Sequence, residues 1–107
     1  MPKNVLLYAR YSTDRQDEVS IETQVDLGTT FNDERGWKLV EVFTDAAVSG
    51  TSFKSRPGIQ ALLKRCEQGG IDIVLCVTLD RISRDVEHSA GILKMLNHLD
   101  IELWTVH

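Results

Sequence analysis

Apolar positions along the chain alternate between two periods. Residues 4–9, 37–44, 71–78 and 101–106 are short runs rich in Val, Ile, Leu and aromatics, the pattern of β-strands. The third run, Ile71 to Val77, is broken only by Asp72, which suits a parallel strand buried on both faces. Between the runs the apolar residues fall at helical spacing. Ser20 is placed to cap a helix reaching Arg35, with Ile21, Val25, Leu27 and Phe31 inward and Gly36 as the stop. Gly28 inside that helix costs about 1 kcal/mol against Ala, so it marks a point of close packing. Pro57 opens a second helix, with Ile59, Leu62, Leu63 and Cys66 at i, i+3, i+4 and i+7, closed by Gly69 and Gly70. A third helix runs from about Val86 to Leu99 through Ala90, Leu93 and Leu96.

This β-α-β-α-β-α-β order predicts an α/β fold: a mostly parallel four-stranded sheet, right-handed crossovers, and helices on both faces. The chain stops at His107, just after an apolar strand, where a further helix is expected to cover the sheet. Residues 1–107 are therefore expected to be one domain cut from a longer protein.

Composition narrows the function classes. The chain has 107 residues, 42% hydrophobic and 26% charged, which excludes collagen-like and wholly disordered readings. No apolar run approaches the roughly 20 residues that span a bilayer, and the start lacks the form of a signal peptide. Cys66 and Cys76 stand ten apart without metal-ligand spacing, so neither a disulfide framework nor a zinc site is expected. A cytoplasmic, nucleoid-associated location fits these features. The net charge of −4 argues against a polyanionic partner, but its distribution does not. Residues 1–15 and 53–84 hold nine Lys/Arg against four acids, a local balance of +5, and together would form an anion-binding face.

In such folds the reactive groups lie beyond the carboxyl ends of the strands. After the first strand come Arg10, Ser12, Arg15 and Gln16; after the second, Asp45, Ser49, Gly50, Lys54 and Arg56; after the third, Asp80, Arg81, Ser83, Arg84 and Asp85. Singly these are ordinary: Ser49-Gly50 reads as a turn, and Asp85 reads as a helix cap. Their conjunction is not ordinary. No GxSxG elbow and no GxxxxGK[ST] loop is present, and His88, His98 and His107 are most simply surface residues. A serine among guanidinium groups suits a phosphoester, because arginines meet its equatorial oxygens bidentately and positive charge favours the alkoxide. Two other readings use parts of the same set. A non-catalytic nucleic-acid or anion-binding module needs the arginines without Ser12, and a small phosphohydrolase would use Ser12 on soluble esters.

The segments Tyr8-Ala9-Arg10-Tyr11-Ser12-Thr13 with Gln16, and Ser20-Ile21-Glu22-Thr23-Gln24, resemble the opening of the serine recombinases, the resolvase/invertase family. So do Asp45 with Ser49-Gly50-Thr51, Arg56-Pro57-Gly58, and Leu79-Asp80-Arg81-Ile82-Ser83-Arg84-Asp85, in order and across essentially the whole chain. The resemblance implies a site-specific DNA recombinase acting on double-stranded DNA through a covalent 5′-phosphoserine, with subunit exchange in a tetramer and no cofactor or metal. It implies that Ser12 is the nucleophile and that Arg10, Arg81 and Arg84 bind the scissile phosphate. It gives Asp80 the task of orienting an arginine or handling a proton. Gln16, Gln24, Ser49 and Arg56 match supporting positions, and Arg65 falls near a basic one. The family's long helix after the core and its DNA-binding domain are not in these 107 residues. The segment from Ser20 to Gln24 is more like large serine integrases or transposon recombinases than small resolvases.

Overall fold

A computed structural model describes residues 2–11, 20–46, 57–77 and 86–106. The elements run β1 (Asn4–Tyr11), α1 (Ile21–Glu34), β2 (Lys38–Ala46), α2 (Pro57–Glu67), β3 (Ile73–Cys76), α3 (Val86–His98) and β4 (Glu102–Thr105). All strand pairs are parallel, and the sheet order is β2-β1-β3-β4. The chain thus moves outward from β1 to β2, then crosses back to β3 and on to β4. The reversal falls between β1 and β3, the switch point at which open α/β sheets carry their sites.

The two central strands are buried on both faces, as their nearly continuous apolar sequence requires. Leu6, Tyr8, Val74 and Cys76 face α2 and α3, packing with Ile59, Leu62, Leu63, Cys66, Ile92 and Leu96. Val5, Leu7, Ile73 and Leu75 face the other way, where Val25 and Phe31 of α1 pack against them with Trp37, Leu39, Val42 and Val106. Each fully buried Leu, Ile or Val contributes about 1.5–3 kcal/mol, so this double layer dominates the stability.

The inward stripe expected for α2 is the one observed, with Ile59, Leu62, Leu63 and Cys66 buried. The other helices differ. In α1 the residues turned fully inward are Gln24, Gly28 and Asn32, while Ile21, Val25, Leu27 and Phe31 flank them half-buried. Close approach decides this: a Cβ on Gly28 would lie 2.6 Å from Leu7 Cδ1, so the helix axis sits nearer the sheet than a Leu-lined face allows. Ser20 caps α1 as expected, its hydroxyl accepting from the Thr23 amide at 3.2 Å. In α3, Ile92 and Leu96 are buried, whereas Ala90 is exposed and Leu93 is 40% exposed. Ile92, Met95, Leu96 and Leu99 fill the space over the sheet, and the rotation of α3 about its axis turns the expected Ala90–Leu93 face outward.

Both ends of β1 are tied down. At its start, the Asn4 amide donates to Asp72 and its side chain to the Gly70 carbonyl, each at 2.8 Å. α3 ends with Asp100 at φ 58°, its amide donating to Asn97 O and that of Ile101 to Leu96 O, the paired bonds of a Schellman closure. Arg35, at the C-cap of α1, lies over the Phe31 ring with its guanidinium carbon 3.4 Å from the centroid. Trp37 and Trp104 pack edge-on at 5.1 Å beside it, a cation–aromatic cluster favoured also by the helix C-terminal dipole.

Candidate active site

Buried polar side chains are costly unless they are hydrogen-bonded, so their location is informative. Among the described residues four are buried: Arg10, Gln24, Asn32 and Asp45. Asn32 ties the far end of α1 to the residue just before β2, its Nδ2 donating to Trp37 O at 2.8 Å. The other three gather around the carboxyl end of β1.

β1 pairs with β3 only over Val5, Leu6 and Leu7, but continues beside β2 through Arg10, opposite Asp45, and Tyr11, opposite Ala46. Strand pairing therefore carries the chain two residues further than the apolar run indicates. Arg10 belongs to the strand, not the following loop, and is fully buried. Beyond the β3 pairing its main chain needs another partner, and Gln24 supplies one. The Gln24 Oε1 accepts from the Arg10 amide at 3.2 Å, and its Nε2 donates to the Arg10 carbonyl at 2.8 Å. A side-chain amide thus stands in for a neighbouring strand and fixes the peptide from which Ser12 follows two residues later.

On the opposite face Asp45 joins three elements. Its Oδ2 accepts from the Tyr8 hydroxyl at 2.7 Å and from the Ile59 amide at 2.9 Å, and its Oδ1 accepts from the Gly58 amide at 2.7 Å. The carboxylate meets the orphan amides at the start of α2, where the helix dipole favours negative charge. Gly58 is required there, since a Cβ would stand 2.3 Å from the Thr44 carbonyl oxygen. Tyr8 and Asp45 belong to segments quoted above but had no role from sequence. The available signals were a hydroxyl inside an otherwise apolar strand and a Pro-Gly pair at a helix start.

Of the residues expected to form the site, Arg10 and Gln24 are brought together. Ser12, Gln16, Ser49, Arg56, Asp80, Arg81 and Arg84 lie outside the described residues. Their attachment points are described. The segments bearing them follow β1, β2 and β3, three adjacent parallel strands with β1 in the middle, so all three leave the same edge of the sheet. Among the described residues no cluster of three or more His, Cys, Asp or Glu suits a metal ion, and no helix is long and apolar enough to cross a membrane.

Residues 5–107 match the family model described as the resolvase N-terminal domain. Three solved structures resemble the chain closely. The N-terminal catalytic domain of TP901-1 integrase is 31% identical, over 97% of this chain and 77% of that one, with a TM-score of 0.88. The C-terminal catalytic domain of ISC1926 TnpA, an IS607-like serine recombinase, is 28% identical, over 97% and 67%, with a TM-score of 0.83. A resolvase family site-specific recombinase from Streptococcus pneumoniae is 25% identical, over 97% and 72%, with a TM-score of 0.82. No curated protein matches the chain.

Proposed function

The chain belongs to the resolvase N-terminal domain family, the catalytic fold of the serine recombinases, and on that premise we propose that Ser12 is the nucleophile of a site-specific DNA recombinase. The family acts on DNA, and the fold and the likeness to integrase and transposon-recombinase catalytic domains agree with that class. In the proposed reaction the Ser12 oxygen attacks a phosphodiester phosphorus of double-stranded DNA and the P–O3′ bond breaks. The 3′-hydroxyl leaves with a proton, and the 5′-phosphate stays on the serine. Attack by a 3′-hydroxyl from another strand reverses the step, so the ester conserves the bond energy and no cofactor enters the balance.

Arg10, Arg81 and Arg84 hold the non-bridging oxygens and take up charge as it spreads over them. Asp80 orients an arginine or carries a proton, and Gln16, Ser49 and Arg56 support the phosphate and the nucleophile. Gln24 acts through Arg10, as its clamp on the strand end suggests. Residues 1–107 serve as the catalytic core of a longer recombinase, whose linking helix and DNA-binding domain supply site affinity and whose dimers assemble into a tetramer.

The single observation that supports this most is the Gln24–Arg10 clamp at the end of the central strand, beside the topological switch point. The test is strand cleavage of supercoiled DNA carrying the recombination site by the full-length protein. Ser12→Ala should abolish cleavage while leaving site binding largely unchanged. A non-catalytic binding module would instead keep every activity in that variant.

A further inference from the structure

We propose that Asn32 is a remote positioning residue for Arg10: by gripping Trp37 it sets the register of α1 on the sheet, and Gln24 carries that register to the end of β1; the inference rests on the recombinase reading above. The fully inward residues of α1 are Gln24, Gly28 and Asn32, spaced so that all lie on one face. Gln24 binds both main-chain groups of Arg10, at 3.2 and 2.8 Å. Asn32 does the same for Trp37. Its carbonyl accepts from the Trp37 amide at 3.2 Å, and its Nδ2 donates to Trp37 O at 2.8 Å. The next residue, Lys38, donates its amide to Lys3 O at 2.8 Å, so this grip is referred to the amino end of β1.

Between the two grips Gly28 sits against Leu7, where an added Cβ would lie 2.6 Å from Leu7 Cδ1. The stretch from Gln24 to Asn32 is thus a stiff strut about 12 Å long, touching β1 near its middle. Held at Gly28 alone the strut can tilt. Held at Asn32 as well, it brings the Gln24 amide to one place. Stability by itself does not call for Asn at this position. Its Oδ1 is buried and has no hydrogen-bond partner among the described residues. Leu has the same branched shape and is the better helix former, and removing an orphaned acceptor offsets much of the lost bond to Trp37. What Leu cannot supply is the grip. A shift of Arg10 by about half an ångström corresponds to about tenfold in rate.

The experiment is a double-mutant cycle of Asn32→Leu and Gln24→Met in the full-length protein, with Ser12→Ala as control. Single-turnover cleavage at saturating protein, DNA affinity, melting temperature and amide exchange are read where the variants are folded. Asn32→Leu is expected to slow cleavage about tenfold, with DNA affinity within about twofold and the melt within about 5 °C of wild type. Exchange should rise about tenfold at the Arg10 amide while the Val5, Leu6 and Leu7 amides stay protected. In the Gln24→Met background the same substitution should slow cleavage by less than about twofold further, because the path to Arg10 is already cut. Cleavage by Asn32→Leu within twofold of wild type would overturn the proposal. So would an equal loss in both backgrounds, or exchange rising throughout the sheet. If the double variant does not fold, the Arg10 amide in Asn32→Leu decides, and unchanged exchange there overturns the proposal. If Asn32→Leu itself does not fold, Asn32→Ala is judged by the same criteria. Adduct formation by Ser12→Ala would instead overturn the recombinase assignment, a failure read apart from this one because the exchange at Arg10 does not depend on cleavage.

Discussion

Replacing Gln24 by Met keeps the length of the side chain and removes both of its hydrogen-bonding groups. In the wild type these groups satisfy the Arg10 amide at 3.2 Å and the Arg10 carbonyl at 2.8 Å, all within a buried site. The variant leaves a buried N–H and a buried C=O without those bonds. Each orphaned group costs about 1–3 kcal/mol, the carbonyl less because its second lone pair finds partners more easily. The expected loss is about 2–5 kcal/mol for Gln24→Met, and more for Gln24→Ala, which adds a cavity. Unfolding entropy of about 2 cal/mol/K per residue makes each kcal/mol worth about 4–5 °C in a chain of this size, so Gln24→Met should melt about 10–20 °C lower. Denaturant titration and thermal melts measure the loss, and hydrogen exchange locates it, because the Arg10 amide should pass from slow to fast exchange. A change below about 1 kcal/mol with the Arg10 amide still protected would refute the clamp and its role in directing the chain toward Ser12.

Gly58→Ala should destabilise by about 3–5 kcal/mol, because its Cβ meets the Thr44 main chain and displaces the amides bound to Asp45; a melt shift under 5 °C would contradict this. Gly28→Ala meets only the Leu7 side chain and gains about 1 kcal/mol of helix propensity, so its net cost should be the smaller of the two in the same melts. Asp100→Gly should stabilise by about 0.5–1 kcal/mol, since the left-handed backbone at φ 58° penalises a side chain; denaturant titration checks it. Burial pushes the Cys66 thiol from 9.0 to about 11, with Arg65 pulling it down and Glu67 pushing it up. The folded value is the higher one, so the stability this thiol contributes is whole below pH 9.0 and is lost as pH rises through about 11, which melts between pH 8 and 11 should register against Cys66→Ala.

The order of elements was legible because strands and helices carry different periods, and the short connections admit a parallel sheet. The inward face of α2 was legible for the same reason, its stripe being apolar and regularly spaced. The faces of α1 and α3 were not, because distances that no local pattern encodes decide them. Gly28 against Leu7 draws α1 close enough for Gln24 and Asn32 to reach main-chain groups, and the rotation of α3 about its axis turns Ile92 inward and Leu93 outward. At the candidate site, Arg10 and Gln24 stood out through their motif, but the bond between them joins residues 14 apart. Asp45 was harder to read. Its partners lie 37 residues upstream on another strand and 13 and 14 residues downstream on a helix, and only the folded sheet brings them to one carboxylate.

The most direct measurement is the site of the covalent bond. The full-length protein is incubated with DNA carrying its recombination site, the cleaved complex is trapped by denaturation, and the DNA-linked peptide is sequenced by mass spectrometry. The account predicts one modified peptide spanning residues 11–15, with a 5′-phosphate on the Ser12 oxygen, and no adduct from Ser12→Ala. A linkage at any other residue, a 3′-phosphate linkage, or an adduct that survives in Ser12→Ala would contradict it.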